Sequence, residues 1–341
     1  MGETVAVEEK KGISGTVLKI IAVSAMIIDH IGAIFLTDYL NMRIPDTLTQ
    51  EQYTELFTAE PGLVSLNFLL GVLRLVGRFG FPLFAFLLVE GFEHTRSLRK
   101  YAFNLLVFAL ISELPFNLGF SGILFFPGYQ NVFFTLFLGL MCITFTRFFT
   151  RTAKNNSAFK PLFYVSAFLA GPVVTYMLLN DSWIGSLINM ILLKITVTMP
   201  VLFIIMGASG LVTLLVFMLI GAKWDTVKKN GFTGVILPLF VFGLIAELLM
   251  TDYSAGGVLT ILVIYLFRRQ KMKAFAMGCL VLFLMNFTEV TAFLMLIPIG
   301  KYNGTRGMKI NKYLFYAIYP IHIGLIYLLT LIMGYTTFEI R

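Results

Sequence analysis

The first apolar run of the chain, LKIIAVSAMIIDHIGAIFL, carries two ionisable side chains next to each other, Asp29 and His30. A charged group at mid-bilayer costs about 3 kcal/mol or more, so chains keep such groups where they line a cavity or do chemistry. The chain holds three histidines, which makes His30 the first candidate for moving a proton or attacking a carbonyl. Lys19 lies eleven positions earlier. Eleven residues are close to three full helical turns, which puts both side chains on one stripe, about 16 Å apart along the axis. A long, thin molecule with phosphates at one end and a reactive group at the other fits such a stripe, and coenzyme A has that shape.

Other polar groups interrupt the apolar runs. Arg74 and Arg78, in LRLVGRFGFPLFAFLLVEGF, are four residues apart and share a helix face. Two like charges there call for an anionic answer. Glu113 (ISELPFN) and Glu247 (AELLMTD) are the expected partners, and a bound phosphate or a developing oxyanion is the other candidate. The plainer reading is an Arg–Glu pair that fixes helix register. Neighbours on a helix point about 100° apart, so Asp29 does not simply orient His30. Glu113 is the expected orienting carboxylate, and the alternative for Asp29 is a cap or loop contact at a broken helix end. His322, in YAIYPIHIGLIYLL, follows Pro320, which is expected to kink the last helix. His322 is either a packing group or a second member of the site. His94 sits at a basic loop edge and reads as solvated. The segment KYNGTRGMK, with Asn303 and Arg306 between glycines, suits a phosphate. No Walker A loop, HExxH, G-x-S-x-G or CxxC pattern occurs.

These residues have to be positioned by membrane helices. The 341 residues are 58% hydrophobic and 13% charged, about half the charge of a soluble domain. Continuous apolar runs exclude an outer-membrane barrel, whose strands alternate. The expected fold is an all-α, polytopic integral membrane protein of about 11 transmembrane helices (10–12), some short or broken. Expected spans fall near 16–36, 66–93, 101–119, 131–149, 161–179, 232–250, 255–267, 273–287, 289–300 and 313–335. The stretch 182–222, interrupted by Lys194 and Pro200, is expected to give one crossing plus a re-entrant or surface helix.

Residues 1–15 read as a loose cytoplasmic tail and 16–341 as one transmembrane domain. The first run lacks a small-residue cleavage site and reads as a retained helix. Ala6 argues against myristoylation. Eighteen of the 26 basic residues fall in five loops, 94–100, 147–160, 223–229, 268–273 and 301–312, which marks these as cytoplasmic. The net charge of +8 is therefore a topology signal and does not point to nucleic acid. The loop 37–65 holds Asp38, Asp46, Glu51, Glu55 and Glu60 against Arg43 and reads as external. Cys142 and Cys279 lie in apolar runs and suggest neither a disulfide nor a metal site.

Several stretches together resemble the TraX family: LKIIAVSAMIIDHIGAIF, LRLVGRFGFPLFAFLLVEGFEHTRSLRKYAFNLLVFALISELPFN, QNVFFTLFLGL, KYNGTRG and FYAIYPIHIGLIYLL. That family is named for a conjugation protein that acetylates the pilin amino terminus. It is similar in turn to wider groups of transmembrane acyltransferases, which carry a basic residue, ten intervening residues and a histidine in the first helix. Lys19 and His30 meet that spacing. The resemblance implies transfer of an acetyl group from cytoplasmic acetyl-CoA to an acceptor reached through a bacterial inner membrane. The acceptor is left open among a protein N-terminus, a glycan and a small molecule. His30 would be general base or acyl carrier, Arg74 or Arg78 the oxyanion stabiliser, and Lys19 and Arg306 the coenzyme A anchors. Asp29 and Glu113 would support the catalytic group, with Asn303 and His322 on the cofactor side and no metal. A proton-coupled transporter and a non-catalytic scaffold of a secretion system are the rival readings.

Overall fold

The computed structural model describes residues 12–45, 47–179, 182–188, 198–308 and 310–336. The protein is an all-α, polytopic membrane protein. Among the described residues, eight helices are long and apolar enough to cross a bilayer. These are Gly15–Arg43, Pro61–His94, Leu98–Ser121, Val132–Thr152, Ser157–Leu179, Met199–Gly221, Thr226–Leu248 and Lys312–Ile332. The three remaining expected spans form shorter elements, Ser254–Phe267 (α12), Lys271–Met285 (α13) and a 3-10 stretch Phe287–Met295 that leads into Leu296–Lys301 (α14).

The first run extends beyond its expected end at residue 36. It begins as an α-helix, Gly15–His30 (α1), passes through a π-helical stretch, Ile31–Leu36, and continues as Thr37–Arg43 (α2). The π stretch starts one residue after His30. Such insertions are uncommon and concentrate at functional sites, because they shift the side-chain register by one position. The expected span 66–93 is two helices, Pro61–Gly77 (α4) and Gly80–His94 (α5), broken at Arg78–Phe79. The expected tail is pinned at its end. Ile13 exchanges backbone hydrogen bonds with Lys301 (2.9 Å) and Asn303 (3.0 Å), and the Gly15 and Thr16 amides donate to Thr305 and Arg306. This strap fixes the 301–308 loop beside the start of α1.

The expected acidic loop forms a helix, Gln50–Ala59 (α3), started by a capping box at Thr49 and Gln52. Its Leu56 and Phe57 pack on a small cluster around Leu36, Leu40 and Leu63. Asp46 and Lys194 lie outside the described residues. Of the stretch 182–222, Trp183–Ile188 (α9) and Met199–Gly221 (α10) are helical, giving one helix long and apolar enough to cross a bilayer and one short one. α10 packs on Lys160–Leu179 (α8), where a Cβ on Gly171 would meet the Ser209 carbonyl at 2.3 Å. Small residues allow this close crossing.

The core is built from α1, α5, Leu98–Ser121 (α6), Val132–Arg147 (α7), α12 and α13, with Phe86, Phe92, Phe116, Tyr265 and Phe275 deeply buried. Only 14 residues long, α12 buries residues all around its circumference, as a central helix should. The last helix, Lys312–Ile332 (α15), continues through Pro320 and packs on α6 and the π stretch.

Candidate functional site

His30 and His322 meet. His30 Nδ1 lies 2.6 Å from His322 Nε2, and both residues are buried. The rings are parallel within 6° with centroids 4.8 Å apart. So short an N–N contact at that separation places the rings edge to edge in one plane, not face to face. The other ring nitrogen of His322, Nδ1, is 2.7 Å from the Ile318 carbonyl. A carbonyl only accepts, so His322 Nδ1 carries a proton. In the neutral pair His322 Nε2 must then accept from His30 Nδ1–H. That leaves the lone pair on His30 Nε2. A carbonyl at the far end of the pair therefore selects the tautomer in which His30 is a base.

The orienting partner of His30 is thus His322, not Glu113. The Glu113 carboxylate instead accepts from Asn131 Nδ2 at 2.5 Å, and Asn131 caps α7 by accepting from the Phe133 amide at 3.1 Å. The arginine partners also differ from expectation. Arg74 donates to Asp29 (2.7 Å) and Arg78 to Glu289 (3.1 Å). Glu247 accepts from the Ala255 amide (2.8 Å) and the Tyr176 hydroxyl (3.0 Å) and belongs to the entry of α12. Asp29 makes no cap. It holds Arg74 from the side of α1 next to His30, and Arg74 lies within electrostatic range of His30. Arg74 in the last turn of α4 and Arg78 at its C-cap, which keeps helical dihedrals, both lie within electrostatic range of Asp29, while each hydrogen-bonds a different carboxylate.

Gly77 makes room for this arrangement, since a Cβ there would lie 2.0 Å from Asp29 Oδ1. Gly77→Ala is therefore expected to push Asp29 off Arg74 and to destabilise the protein by about 1–3 kcal/mol. Thermal unfolding in detergent measures this, and an unchanged Tm would contradict the packing described.

Glu289, Asp252 and Tyr129 were not picked out from the sequence. Glu289 is almost fully buried, and Tyr129 donates to Asp252 at 3.0 Å within range of both arginines. A lone acid inside the apolar run LFLMNFTEVTAFLMLIP was the available signal for Glu289. For Asp252 the sign was structural: Met250, Tyr253 and Ser254 all adopt positive φ (51°, 63° and 42°), a costly turn for residues with side chains.

A cavity of about 600 Å³ opens among the loops that are rich in basic residues. Lys19, Arg96, Lys100, Arg306 and Lys312 line it, against one carboxylate, Glu90. Lys19 stands over the Phe315 ring at 5.4 Å and faces Arg306 closely enough for the two charges to repel. Tyr302 donates to Glu90 at 3.2 Å, and burial, reinforced by that carboxylate, pushes its phenol up to about 12. Asn303 does not line the cavity. Its side-chain oxygen accepts from the Thr305 amide (3.0 Å) and hydroxyl (2.7 Å), which shapes the turn that carries Arg306. Met26, Phe133, Leu136 and Tyr319 add apolar walls to the cavity. Gly15, Lys19 and Met26 are successive positions on one face of α1, and His30 is one turn beyond Met26. The expected Lys19–His30 stripe is thus the wall of the cavity and its continuation. Among the described residues no cluster of His, Cys, Asp and Glu could hold a metal.

The profile of the TraX protein family matches residues 14–159 and 206–330. The chain belongs to the TraX family. A protein of Dichelobacter nodosus named "Probable fimbrial assembly protein FimC, serogroup H1" is 32% identical over 134 residues. That match covers 37% of this TraX-family chain and 43% of the relative, so it spans less than half of either. No solved structure matches the chain. The family match includes α1, the 301–308 loop and α15, the elements that build the histidine pair and the cavity mouth.

Proposed function

We propose that this protein is a membrane acyltransferase that moves an acetyl group from acetyl-CoA to an amine or hydroxyl acceptor. The observation that carries this reading is the buried His30–His322 pair, both of whose rings meet Tyr319, a residue that also lines the cavity together with Lys19, Arg96, Lys100, Arg306 and Lys312. The phosphates of the coenzyme would answer the repulsion between Lys19 and Arg306 at the mouth, taken to be cytoplasmic. The pantetheine arm would lie along the apolar walls, and the thioester would face His30.

In the proposed step the acceptor X–H attacks the thioester carbonyl while His30 Nε2 takes its proton. The C–X bond forms, the C–S bond breaks, and the imidazolium returns the proton to the thiolate, so no net proton is produced. His30 Nδ1–H stays on His322 throughout, which spreads the transient charge over two rings. Arg74, held by Asp29 and within electrostatic range of His30, would stabilise the oxyanion, and desolvation would strengthen that contact. Arg78 is committed to Glu289 and has a structural part.

Acetyl-CoA is expected to raise the Tm of the purified protein, while acetate and adenosine leave it unchanged. Arg306→Ala is expected to weaken that stabilisation, raising the half-saturating acetyl-CoA concentration about tenfold for the loss of one charge-assisted contact. No stabilisation of the wild-type chain by acetyl-CoA would overturn the assignment. An unchanged half-saturating concentration in Arg306→Ala would remove Arg306 from the site.

A further inference from the structure

A second group of cations lies at the ends of α5, α7 and α12, which pack together and lead into three of the five basic loops. None of its residues lines the cavity. Phe92 and Tyr265, both almost fully buried, meet edge to face with centroids 5.6 Å apart. A guanidinium covers each ring: Arg147 stands 4.0 Å from the Phe92 centroid and Arg268 3.9 Å from that of Tyr265. Arg151 joins them from a π-helical stretch, Phe148–Thr152, that continues α7. One carboxylate, Glu93, pairs with Arg268 at 3.3 Å and with Arg151 at 3.8 Å. The Tyr265 phenol lies within electrostatic range of all four charged groups.

The groups left unpartnered there are donors. Among the described residues the Arg147 guanidinium has no hydrogen bond and no ion pair, only the Phe92 ring. Tyr265 is 2% exposed, and its carbonyl accepts from Arg268 at 2.7 Å, but its hydroxyl has no hydrogen-bond partner among the described residues. Three guanidiniums against one carboxylate leave two positive charges uncompensated beside that hydroxyl. The partner that fits is an anion with several acceptor oxygens. Guanidinium forks match a phosphate, and stacking on rings fixes them before a ligand arrives. The basic-loop pattern accounts for charge at the membrane surface, not for a buried hydroxyl left unbonded among such charges. The chain beside the cluster is apolar: Phe145, Phe148 and Leu266, within two positions of Arg147 or Arg268, are exposed. Acyl chains would cover these side chains while the headgroup reaches the guanidiniums.

We propose that Arg147, Arg151, Arg268 and Tyr265 bind the headgroup phosphate of an anionic phospholipid. The site is separate from the cavity and does not depend on the acyltransferase reading. Phosphatidylcholine fits it less well, because the two uncompensated positive charges repel a choline.

The test follows thermal unfolding of delipidated full-length protein in detergent. Phosphatidylglycerol, phosphatidylcholine or inorganic phosphate is titrated in at fixed ionic strength. Phosphatidylglycerol is expected to raise the Tm of the wild-type chain at concentrations at least about tenfold below those at which the other two act. Tyr265→Phe removes only the unbonded hydroxyl, so the Tm without lipid should not change. The half-stabilising phosphatidylglycerol concentration should rise about tenfold in that variant, for one hydrogen bond to a charged group. Arg147→Gln should raise it at least as much. Lys223→Gln, which removes an exposed charge from another basic loop, should leave it within about twofold. Tyr265→Phe carries the test if Arg147→Gln does not fold. Equal stabilisation by phosphatidylcholine, or none by either lipid, would overturn the proposal. So would inorganic phosphate acting as strongly as phosphatidylglycerol, which would make the ligand a free anion. An unmoved half-point in Tyr265→Phe, or an equal shift in Lys223→Gln, would also overturn it, because general attraction to a basic surface would then explain the effect.

Discussion

His30→Ala is expected to lower acetyl transfer by about 10²–10⁴-fold, the range of a lost general base, with the protein still folded. The expectation comes from the direction of the hydrogen bonds. The Ile318 carbonyl fixes the proton on His322 Nδ1, His322 Nε2 fixes the proton on His30 Nδ1, and the one unprotonated nitrogen of the neutral pair is His30 Nε2. His322→Ala removes the acceptor and frees His30 to take the other tautomer. A wrong tautomer in a comparable relay costs up to about 10⁴-fold, so His322 should matter nearly as much as His30. The binding of acetyl-CoA, measured by thermal stabilisation, should survive both changes because the charged mouth is untouched. If His322→Ala transferred acetyl at the wild-type rate, the relay would be wrong even if His30 were essential.

The second large effect is on stability. Glu289→Ala is expected to destabilise the protein by about 3 kcal/mol, the low end for breaking a buried pair. It removes the carboxylate that hydrogen-bonds Arg78 where the helix breaks between α4 and α5, and leaves Asp29 and Asp252 as longer-range counter-charges. The Glu289 side chain is 3% exposed and that of Arg78 19%, so water can do little to rescue the charge. Replacing both by leucine should recover much of the loss, since a buried pair often exceeds an apolar pair in cost. Heat-induced loss of the monodisperse peak in detergent measures the single and double variants. Wild-type stability of Glu289→Ala would show that the pair contributes nothing.

The amino-acid sequence made much of the architecture legible, because membrane helices must bury every backbone polar group within themselves and so need long apolar runs. The basic loops and the Lys19–His30 stripe were equally legible, being local to one helix or one loop. Contacts between helices were not. His30 and His322 are 292 positions apart, and helical periodicity gives the face of each but not which helix it meets. The arginine pairs show the same limit. Glu113 and Glu247 were candidate partners of Arg74 and Arg78 because both fall near outer helix ends, whereas packing sends the arginines to Asp29 and Glu289. The break at Arg78–Phe79 went unread because Gly77 and Gly80, three residues apart, are tolerated within membrane helices. The cavity itself depends on the strap of residues 12–16 along the 301–306 loop, a pairing of two chain segments that no local pattern announces.

The central claim, that His30 drives acetyl transfer from acetyl-CoA, is tested most directly with radiolabel. Membranes from cells expressing the wild-type chain, His30→Ala or no protein are incubated with [1-14C]acetyl-CoA, and label outside coenzyme A is counted in the protein, lipid and glycan fractions. Label that accumulates in one fraction with the wild-type chain, and falls to the no-protein level with an equally abundant His30→Ala chain, is the expected result. Equal labelling by wild-type and His30→Ala membranes, or none above background in either, would contradict it.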